Sequence, residues 1–192
     1  GVISPLLSNL YLDELDHKLE ACGAAMTRYA DDMVLLCKTA EEAESALERV
    51  QEWMEGVCLK LHPEKTRVVN MQENGAHFDF LGYRFKRTQS GRLLRLVRPK
   101  SEQKLRESIR RKTRRNNKHS MKTIIESINP ILRGWFGYFK QAWRGQQKEL
   151  DGWIRMRLRS IYRRHHRKRG RGRGSDHQIW PNKHFAELGL FS

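Results

Sequence analysis

Apolar residues at the start of the chain recur with the period of an α-helix. Between residues 4 and 20 they are spaced four apart, which favours one face of a helix. The repeating residues are Leu7, Tyr11, Leu15 and Leu19. Ser4 is a favoured N-cap residue and Pro5 suits the first helical position. The pattern therefore predicts a helix over SPLLSNLYLDELDHKLE.

The next segment, MTRYADDMVLLCK, has the composition of two strands around a turn. Tyr29 and the Val-Leu-Leu run at 34–36 favour strands, and the Ala-Asp-Asp between them favours a turn. The following segment, TAEEAESALERVQEWMEG, begins with a capping box of Thr39 and Glu42 and stops at Gly56. Its single apolar stripe predicts a second helix.

Two β-rich segments follow. The first, LKLHPEKTRVVNM, predicts a short strand, a turn at His62-Pro63 and another strand. The second, FDFLGYRFKRTQSGRLLRLVRP, predicts a hairpin that turns at Gln89-Ser90-Gly91. The front of the chain is therefore a mixture of helices and strands.

Beyond residue 99 only helical patterns remain. They begin at Ser101, at Ser120 and near Leu150. The Asn129-Pro130 pair is expected to break or restart the second helix, because proline lacks the N–H that an interior helical residue donates. The third helix has apolar residues on one side and arginines on the rest, so a three-helix bundle would turn arginine outward. The run RGRGRG at 169–174 predicts a mobile segment.

Charge divides the chain into two unlike parts. The 192 residues carry a formal charge of +16, with a pI near 10.2. Residues 1–75 hold 7 Lys and Arg against 14 Asp and Glu, a net of −7, whereas residues 76–192 hold 31 against 8, a net of +23. A half as basic as this predicts a polyanionic partner, most simply nucleic acid, in preference to a solvated surface.

The three cysteines form no metal or disulfide pattern. Cys22, Cys37 and Cys58 have no C-x-x-C spacing, and His62 completes no zinc motif with them. Reduced, intracellular thiols are the expectation. The sequence has no signal peptide and no apolar run near the length of a membrane span, so none is predicted.

Asp31 and Asp32 are adjacent carboxylates within an apolar, strand-like stretch. Like charges repel, and burial of either requires a partner, which could be a backbone donor, an arginine or a metal ion. A tight turn between two strands would present both to solvent, where Mg²⁺ could join their oxygens to a substrate phosphate. For a lone Asp-Asp pair, an ordinary surface turn is the preferred interpretation.

The motifs around this pair resemble those of reverse transcriptases. YADD within an apolar hairpin resembles the polymerase palm, and GVISPLLSNLYLDELD resembles the segment before it. LHPEKT and FDFLGYRF are similar to the two motifs that follow. NPILRGWFGYF and LDGWIRMRLR resemble the maturase region of group II intron reverse transcriptases, and WPNKHFAELGLFS resembles how several of them end. The resemblance implies an α+β fold, in which a partial palm of helix and antiparallel hairpins precedes an α-helical thumb and maturase domain.

The resemblance also implies a two-metal polymerase site. Asp31 would ligate Mg²⁺ with Asp32 as the second carboxylate, and Lys65 would be a catalytic lysine near the nucleotide phosphates. The residues that border the nucleotide and primer would be Tyr29, Ala30, Phe80, Leu81 and Gly82. The alternatives are a surface lysine in a turn and aromatic residues of the core.

The implied partners are group II intron RNA, an RNA template, a DNA primer and dNTPs, in a bacterial cytoplasm near the nucleoid. Arginines of the basic half would bind RNA phosphates, although each one alone could be a solvated charge. They are Arg106, Arg110, Arg111, Arg114, Arg115, Arg133, Arg155, Arg157, Arg159, Arg169, Arg171 and Arg173. The expected domains are a palm at 1–99, a thumb and maturase domain at 100–168 and a basic, Gly-rich tail at 169–192.

The resemblance falls short at one catalytic position. The family has a third aspartate on an earlier strand, and no segment before residue 28 supplies it. Because the chain opens at Gly1 without Met, we expect a portion of a longer or degenerate protein, for which a homodimer or a missing N-terminal half are the two possible partners. Because the first catalytic aspartate and the fingers are missing, we expect this chain to be inactive alone. Two functions stay open. One is an RNA-directed DNA polymerase and splicing maturase, and the other is a non-catalytic RNA-binding maturase fragment or remnant.

Overall fold

The computed structural model describes residues 3–170 and 174–191, and the chain divides into two compact units. The first unit comprises Gly1–Leu81 and Phe85–Leu93, and the second comprises Gly82–Arg84 and Leu94–Ser192. Every strand of the described residues lies before Arg98, and helices follow it. The fold is therefore mixed α+β, which confirms the predicted class.

The first unit places a β-hairpin together with two helices. Its elements are α1 (Ser4–Ala21), β1 (Ala25–Tyr29), β2 (Asp32–Leu36) and α2 (Ala40–Gly56). β1 and β2 pair antiparallel, with Tyr29 opposite Asp32. The two helices supply the fully buried core, against which Met26, Met33 and Leu35 of the hairpin pack. The core residues are Leu12, Leu15, Leu19, Val50, Trp53 and Met54.

α1 lies where it was predicted, but its buried face is different. Leu15 and Leu19 are buried, whereas Leu7 and Tyr11 are exposed and Leu12 takes their place in the core. The reason is geometric, because a step of four residues rotates about 40° past a full helical turn. A row spaced strictly by four therefore drifts away from the buried side within three steps.

Residues 57–76 contain no strand, contrary to the prediction for LKLHPEKTRVVNM. The predicted turn is present, since the N–H groups of Lys65 and Thr66 both donate to the His62 carbonyl, at 3.0 and 2.9 Å. β-propensity alone does not make a strand, because the backbone also needs a neighbouring strand to receive its hydrogen bonds.

The predicted hairpin at the end of the front half is a sheet of three strands. Its elements are β3 (His77–Phe80), β4 (Tyr83–Arg87) and β5 (Leu93–Val97), in the order β3-β4-β5. The turn at residues 89–91 lies where it was predicted. A second turn at Leu81-Gly82 was not predicted, and both of its residues have positive φ, 48° and 79°. The glycine suits this backbone, and the leucine there carries local strain.

Helices α3 (Pro99–Lys112), α4 (Met121–Tyr138) and α5 (Arg144–His165) form the core of the second unit. α4 continues through Pro130, so the predicted break is absent. An interior proline costs about 3 kcal/mol, but burying an aliphatic side chain stabilises by about 1.5–3 kcal/mol. Ile128 and Leu132 are buried on either side of Pro130, which explains why packing keeps the helix intact.

The chain after α5 joins the same core. It forms the short helices α6 (Asp176–Ile179) and α7 (Asn182–Glu187). Trp180, Phe185 and Leu190 are buried in the helical core of this unit. Residues 174–191 are therefore part of the folded second unit, although the sequence analysis predicted a basic, Gly-rich tail there. No helix among the described residues is long and apolar enough to cross a membrane.

Three arginines on α5 bind this last segment, and we call them the arginine ladder. Arg155, Arg159 and Arg163 follow one another at intervals of four and are only 4, 0 and 9 % exposed. Their partners are, in order, the Asn182 carbonyl at 3.0 Å, the Trp180 carbonyl at 2.9 Å and the Asp176 carboxylate at 2.9 Å. The prediction that the arginines of this helix all point outward is therefore wrong for these three.

Candidate functional site

Asp31 and Asp32 lie at the tip of the β1–β2 hairpin. The register pairs Tyr29 with Asp32, so Ala30 and Asp31 form a two-residue turn. Ala30 has a φ of 53°, which is uncommon for a residue with a Cβ and stores backbone strain. A left-handed residue at this position is typical of tight hairpin turns. The predicted turn is confirmed, and it sets two acidic residues side by side.

Both carboxylates are open to solvent. Asp31 and Asp32 are exposed, and neither carboxylate makes a hydrogen bond or an ion pair with any residue that the structure describes. The described residues contain no group of three or more His, Cys, Asp or Glu side chains arranged to hold a metal ion. Mg²⁺ often binds through one or two carboxylates and keeps several waters, so this pair fits its chemistry without forming a closed cage.

Arg28 ties the turn to α1. Its Nη1 donates to the Ala30 carbonyl at 2.9 Å and to Asn9 Oδ1 at 3.0 Å. Its Nε donates to the two carboxylate oxygens of Asp16 at 2.8 and 3.0 Å, and Nη2 also contacts that carboxylate. Sequence reasoning did not identify Arg28. An arginine within an apolar strand, next to an acidic turn, was the available signal, since a charge there needs partners.

The other predicted residues of the polymerase site are distributed over the hairpin and two further turns. Tyr29 is exposed and Ala30 is half-buried. Lys65 is exposed in the turn after His62, and its ammonium forms no ion pair with the described residues. β3 contacts β2, so Phe80 belongs to the same unit as the two aspartates. The contacts of Lys65 with a nucleotide and of Phe80 with a primer stay predictions.

The glycine at position 82 has a structural explanation of its own. A Cβ on Gly82 would lie 3.3 Å from the Phe139 ring and 3.4 Å from Ser101 Oγ, and its φ is 79°. Its carbonyl also accepts a hydrogen bond from the Arg98 N–H at 2.9 Å. The close approach that this glycine permits is therefore to the protein itself, and any role of Leu81-Gly82 in primer binding stays a prediction.

The predicted RNA-binding arginines separate into two groups by their environment. Five have exposed side chains, namely Arg110, Arg111, Arg114, Arg133 and Arg169. The others are held by the second unit itself, namely Arg106, Arg115, Arg155, Arg157 and Arg159. Arg171 and Arg173 lie outside the described residues, as does the centre of the run that was predicted to be mobile. The exposed group is open to solvent, whereas the second group already uses its guanidiniums within the second unit.

Trp153 explains why two of the second group are held in place. The guanidinium carbons of Arg106 and Arg157 lie 4.8 and 5.4 Å from the centre of its ring, within the range of a cation–π interaction. Arg157 also donates to the side chain and the carbonyl of Thr113, at 2.7 Å each. Arg106 donates to Glu102 at 2.6 Å. The contact of Arg106 with Trp153 and the bonds of Arg157 to Thr113 join α3 and its C-terminal end to α5.

The ends of α3 and α5 form a continuous basic surface. Arg115 Nη2 donates to the Lys168 carbonyl at 3.2 Å, and His165 Nε2 lies 2.8 Å from the Asn117 carbonyl, so the α3–α4 loop is bound to the end of α5. We call the exposed cations around this junction the basic end surface. They are Arg111, Lys112, Arg114, Lys118, Arg164, Arg167, Lys168 and Arg169.

The acidic residues nearest to this surface in sequence are Glu107, four residues before Arg111, and Asp176, seven residues after Arg169. Residues 108–125 and 160–175 contain no Asp or Glu. The negative ends of the two helix dipoles favour cations there, which helps so many like charges to coexist. Sequence reasoning had found its α3 side and Arg169 but not Lys118, Arg164, Arg167 or Lys168. Only the fold shows that the two segments meet.

Comparison with known families matches both parts of the chain. Residues 1–85 match the family model described as reverse transcriptase (RNA-dependent DNA polymerase). Residues 102–179 match the family model described as group II intron, maturase-specific domain. A comparison with curated proteins found no match.

The reverse transcriptase match includes the aspartate hairpin. The maturase match includes most of the helical core and the basic end surface. They follow one another in a single chain, in the order of the motifs that the sequence displays. The chain therefore belongs to the family of group II intron reverse transcriptases and maturases.

Proposed function

We propose that this chain acts in RNA-directed DNA synthesis and in the splicing of a group II intron, with nucleotidyl transfer at Asp31 and Asp32. The observation that carries the proposal is the hairpin tip itself, where two exposed carboxylates have no partner among the described residues. Two exposed carboxylates side by side can share one divalent cation, and its binding relieves the repulsion between them. The match to reverse transcriptases supports the same assignment.

In this proposal the chain's residues bind and orient the reactants. Asp31 and Asp32 would hold Mg²⁺, which when bound lowers the pKa of an attacking hydroxyl and neutralises charge on the phosphates. Tyr29, with 66 % of its surface exposed beside the pair, would contact the nucleotide or the primer end. Lys65 would contribute positive charge toward the triphosphate of a dNTP.

Primer extension tests the catalytic proposal. A full-length form of the protein that contains these 192 residues is incubated with an RNA template, a DNA primer, dNTPs and Mg²⁺, and Asp31→Asn is compared with Asp13→Asn. Asp13 is an exposed aspartate on α1, close to His17, and serves as the matched control. We expect Asp31→Asn to abolish extension and Asp13→Asn to retain it. Extension by the Asp31 variant at the wild-type rate would remove Asp31 from the mechanism.

The second candidate function is RNA binding without catalysis. The basic end surface favours it, because this surface belongs to the second unit and does not depend on the aspartates. A wild-type chain that binds intron RNA but extends no primer at any Mg²⁺ concentration would support this function over the first. In that case Asp31→Asn and Asp13→Asn would both bind RNA as tightly as the wild type.

A further inference from the structure

Arg28 is the one side chain of the hairpin that joins the aspartate turn to a helix among the described residues. Its guanidinium binds Asp16 and Asn9 on α1 and the Ala30 carbonyl in the turn. A planar guanidinium offers five donors in fixed directions, so these bonds set the position of the Ala30 carbonyl relative to the helix.

The environment of Arg28 makes this arrangement hard to change. Its side chain is only 9 % exposed, and the Asp16 side chain is 25 % exposed. A charge this far removed from water depends on its partners, because losing one of them leaves the other unpaired. The ion pair with Asp16 therefore holds the Arg28 guanidinium in place, and the guanidinium in turn holds the Ala30 carbonyl that it binds.

What it binds is the peptide group that leads into Asp31. The Ala30 carbonyl belongs to the same planar peptide as the Asp31 N–H, so holding one orients the other. Ala30 also has positive φ, a conformation that persists only where surrounding interactions enforce it. The bond from Arg28 to this carbonyl is such an interaction.

We infer that Arg28 is a positioning residue that sets the geometry of the Asp31 and Asp32 carboxylates for a divalent cation, with Asp16 and Asn9 holding it from α1. The part of this inference that concerns a divalent cation rests on the proposed function, whereas the effect of Arg28 on the turn does not. Asp16 thereby has a role at the hairpin tip although it lies on a helix and need not touch the metal.

The first experiment measures the turn directly, without metal. The ¹³Cα and ¹³Cβ chemical shifts of Ala30 and Asp31 are compared in the wild-type chain, in Arg28→Lys and in Arg49→Lys. Lysine can pair with Asp16 but cannot also reach the Ala30 carbonyl in the guanidinium geometry. Arg49 is an exposed arginine on α2 and is the matched control. We expect the shifts to change in Arg28→Lys only, and unchanged shifts in that variant would overturn the inference.

A milder variant covers the case in which Arg28→Lys does not fold. Asn9 is exposed, and Asn9→Ala removes one acceptor of Nη1 without separating the buried ion pair. We expect the Ala30 signals to move from their wild-type positions, and to move less than in Arg28→Lys if that variant is folded. Thermal unfolding of each variant shows whether it is folded. A folded Asn9→Ala whose Ala30 signals match the wild type would also contradict the inference.

The second experiment measures Mn²⁺ binding to the full chain by paramagnetic broadening of the Asp31 and Asp32 amide signals. Loss of an outer partner of a metal ligand typically weakens binding by about 10–100-fold. We expect that loss for Arg28→Lys, none for Arg49→Lys, and no binding at the turn for Asp31→Asn. Wild-type affinity in Arg28→Lys would overturn the positioning role. A wild-type chain without Mn²⁺ broadening would instead overturn the proposed metal site, and the metal-free shifts would still decide whether Arg28 holds the turn.

Discussion

At the residue scale, the arginines of this chain have different roles according to how deeply they are buried. Arg28 holds a turn, the arginine ladder binds the last segment of the chain, and Arg111 and Arg114 face solvent. The guanidinium suits the interior because its donors can satisfy several carbonyls at once. Burial lowers the pKa of Arg159, yet arginine keeps its charge in proteins, so its hydrogen bonds are essential to the fold.

A prediction at this scale concerns Arg159. Replacing Arg159 with Ala removes the bonds to the Trp180 carbonyl and to Asn182 Oδ1 and leaves a cavity. Buried polar groups left without partners cost about 1–3 kcal/mol each, so we expect the free energy of unfolding of the second unit to fall by about 3 kcal/mol. Urea unfolding followed by circular dichroism measures this change.

The control for Arg159 is its neighbour Arg164, whose side chain is exposed on the same helix. Arg164→Ala is expected to change the free energy of unfolding by no more than about 0.5 kcal/mol. If the two substitutions cost the same, the buried bonds of Arg159 do not stabilise the unit as described.

At the scale of the element, a local signal marks where α2 begins, while packing determines that α4 continues. α2 begins at the predicted capping box, where the Glu42 N–H donates to Thr39 Oγ1 at 3.2 Å and the Glu42 carboxylate accepts from the Lys38 N–H at 2.8 Å. α4, in contrast, continues through Pro130 against its local preference. The difference arises because a cap is an interaction within four residues, whereas the stability of α4 comes from side chains distant in sequence.

A prediction at this scale concerns the cap of α2. Thr39→Ala removes the acceptor for the Glu42 N–H, and the loss of such a cap typically costs about 1 kcal/mol. Thr39→Ser keeps the hydroxyl and is expected to retain most of the stability. Chemical denaturation of both variants measures the difference. Equal loss in both would mean that the threonine methyl group, not the hydroxyl, stabilises this end of the helix.

At the scale of the whole molecule, the chain divides into an acidic part and a basic part. The net of −7 in residues 1–75 surrounds the aspartate hairpin, and the net of +23 lies in the part that contains the basic end surface. Nucleic acid is attracted to the second part over long distances, and the attraction is screened by salt. The acidic part, for its own function, depends on divalent cations in this proposal.

A prediction at this scale concerns RNA binding. We expect the logarithm of the affinity for RNA to fall steeply with the logarithm of the salt concentration, because neutralising each phosphate releases counterions. The double variant Arg111→Gln/Arg114→Gln should weaken binding and make this slope shallower by about 2, since each arginine that no longer neutralises a phosphate reduces the slope by about 1. Fluorescence polarisation at a series of KCl concentrations measures both quantities.

The control for this prediction lies near the other end of α5. Lys148→Gln also removes an exposed positive charge, but residue 148 is about 24 Å along the helix axis from residue 164 at about 1.5 Å per residue. It should leave the slope nearly unchanged. A slope that responds equally to Lys148 and to the double variant would show that net charge, and not the basic end surface, binds the RNA.

The sequence by itself determined the class of the fold and the position of the aspartate turn. Interactions between residues close in the chain determine the YADD hairpin, the cap of α2 and the start of the helical half, and such interactions can be recognised from the sequence. The same is true of the division of charge. The family follows from motifs of the same kind.

Only the tertiary structure decided which polar residues are partners. The bond of Arg28 to Asp16 spans 12 residues, and the bond of Arg159 to Trp180 spans 21. Whether an arginine is exposed or buried depends on what folds over it, and periodicity cannot show that the α3–α4 loop meets the end of α5. The free energy of such interactions comes from desolvation and from packing between segments that are distant in sequence. Local sequence patterns do not show which distant segments come into contact.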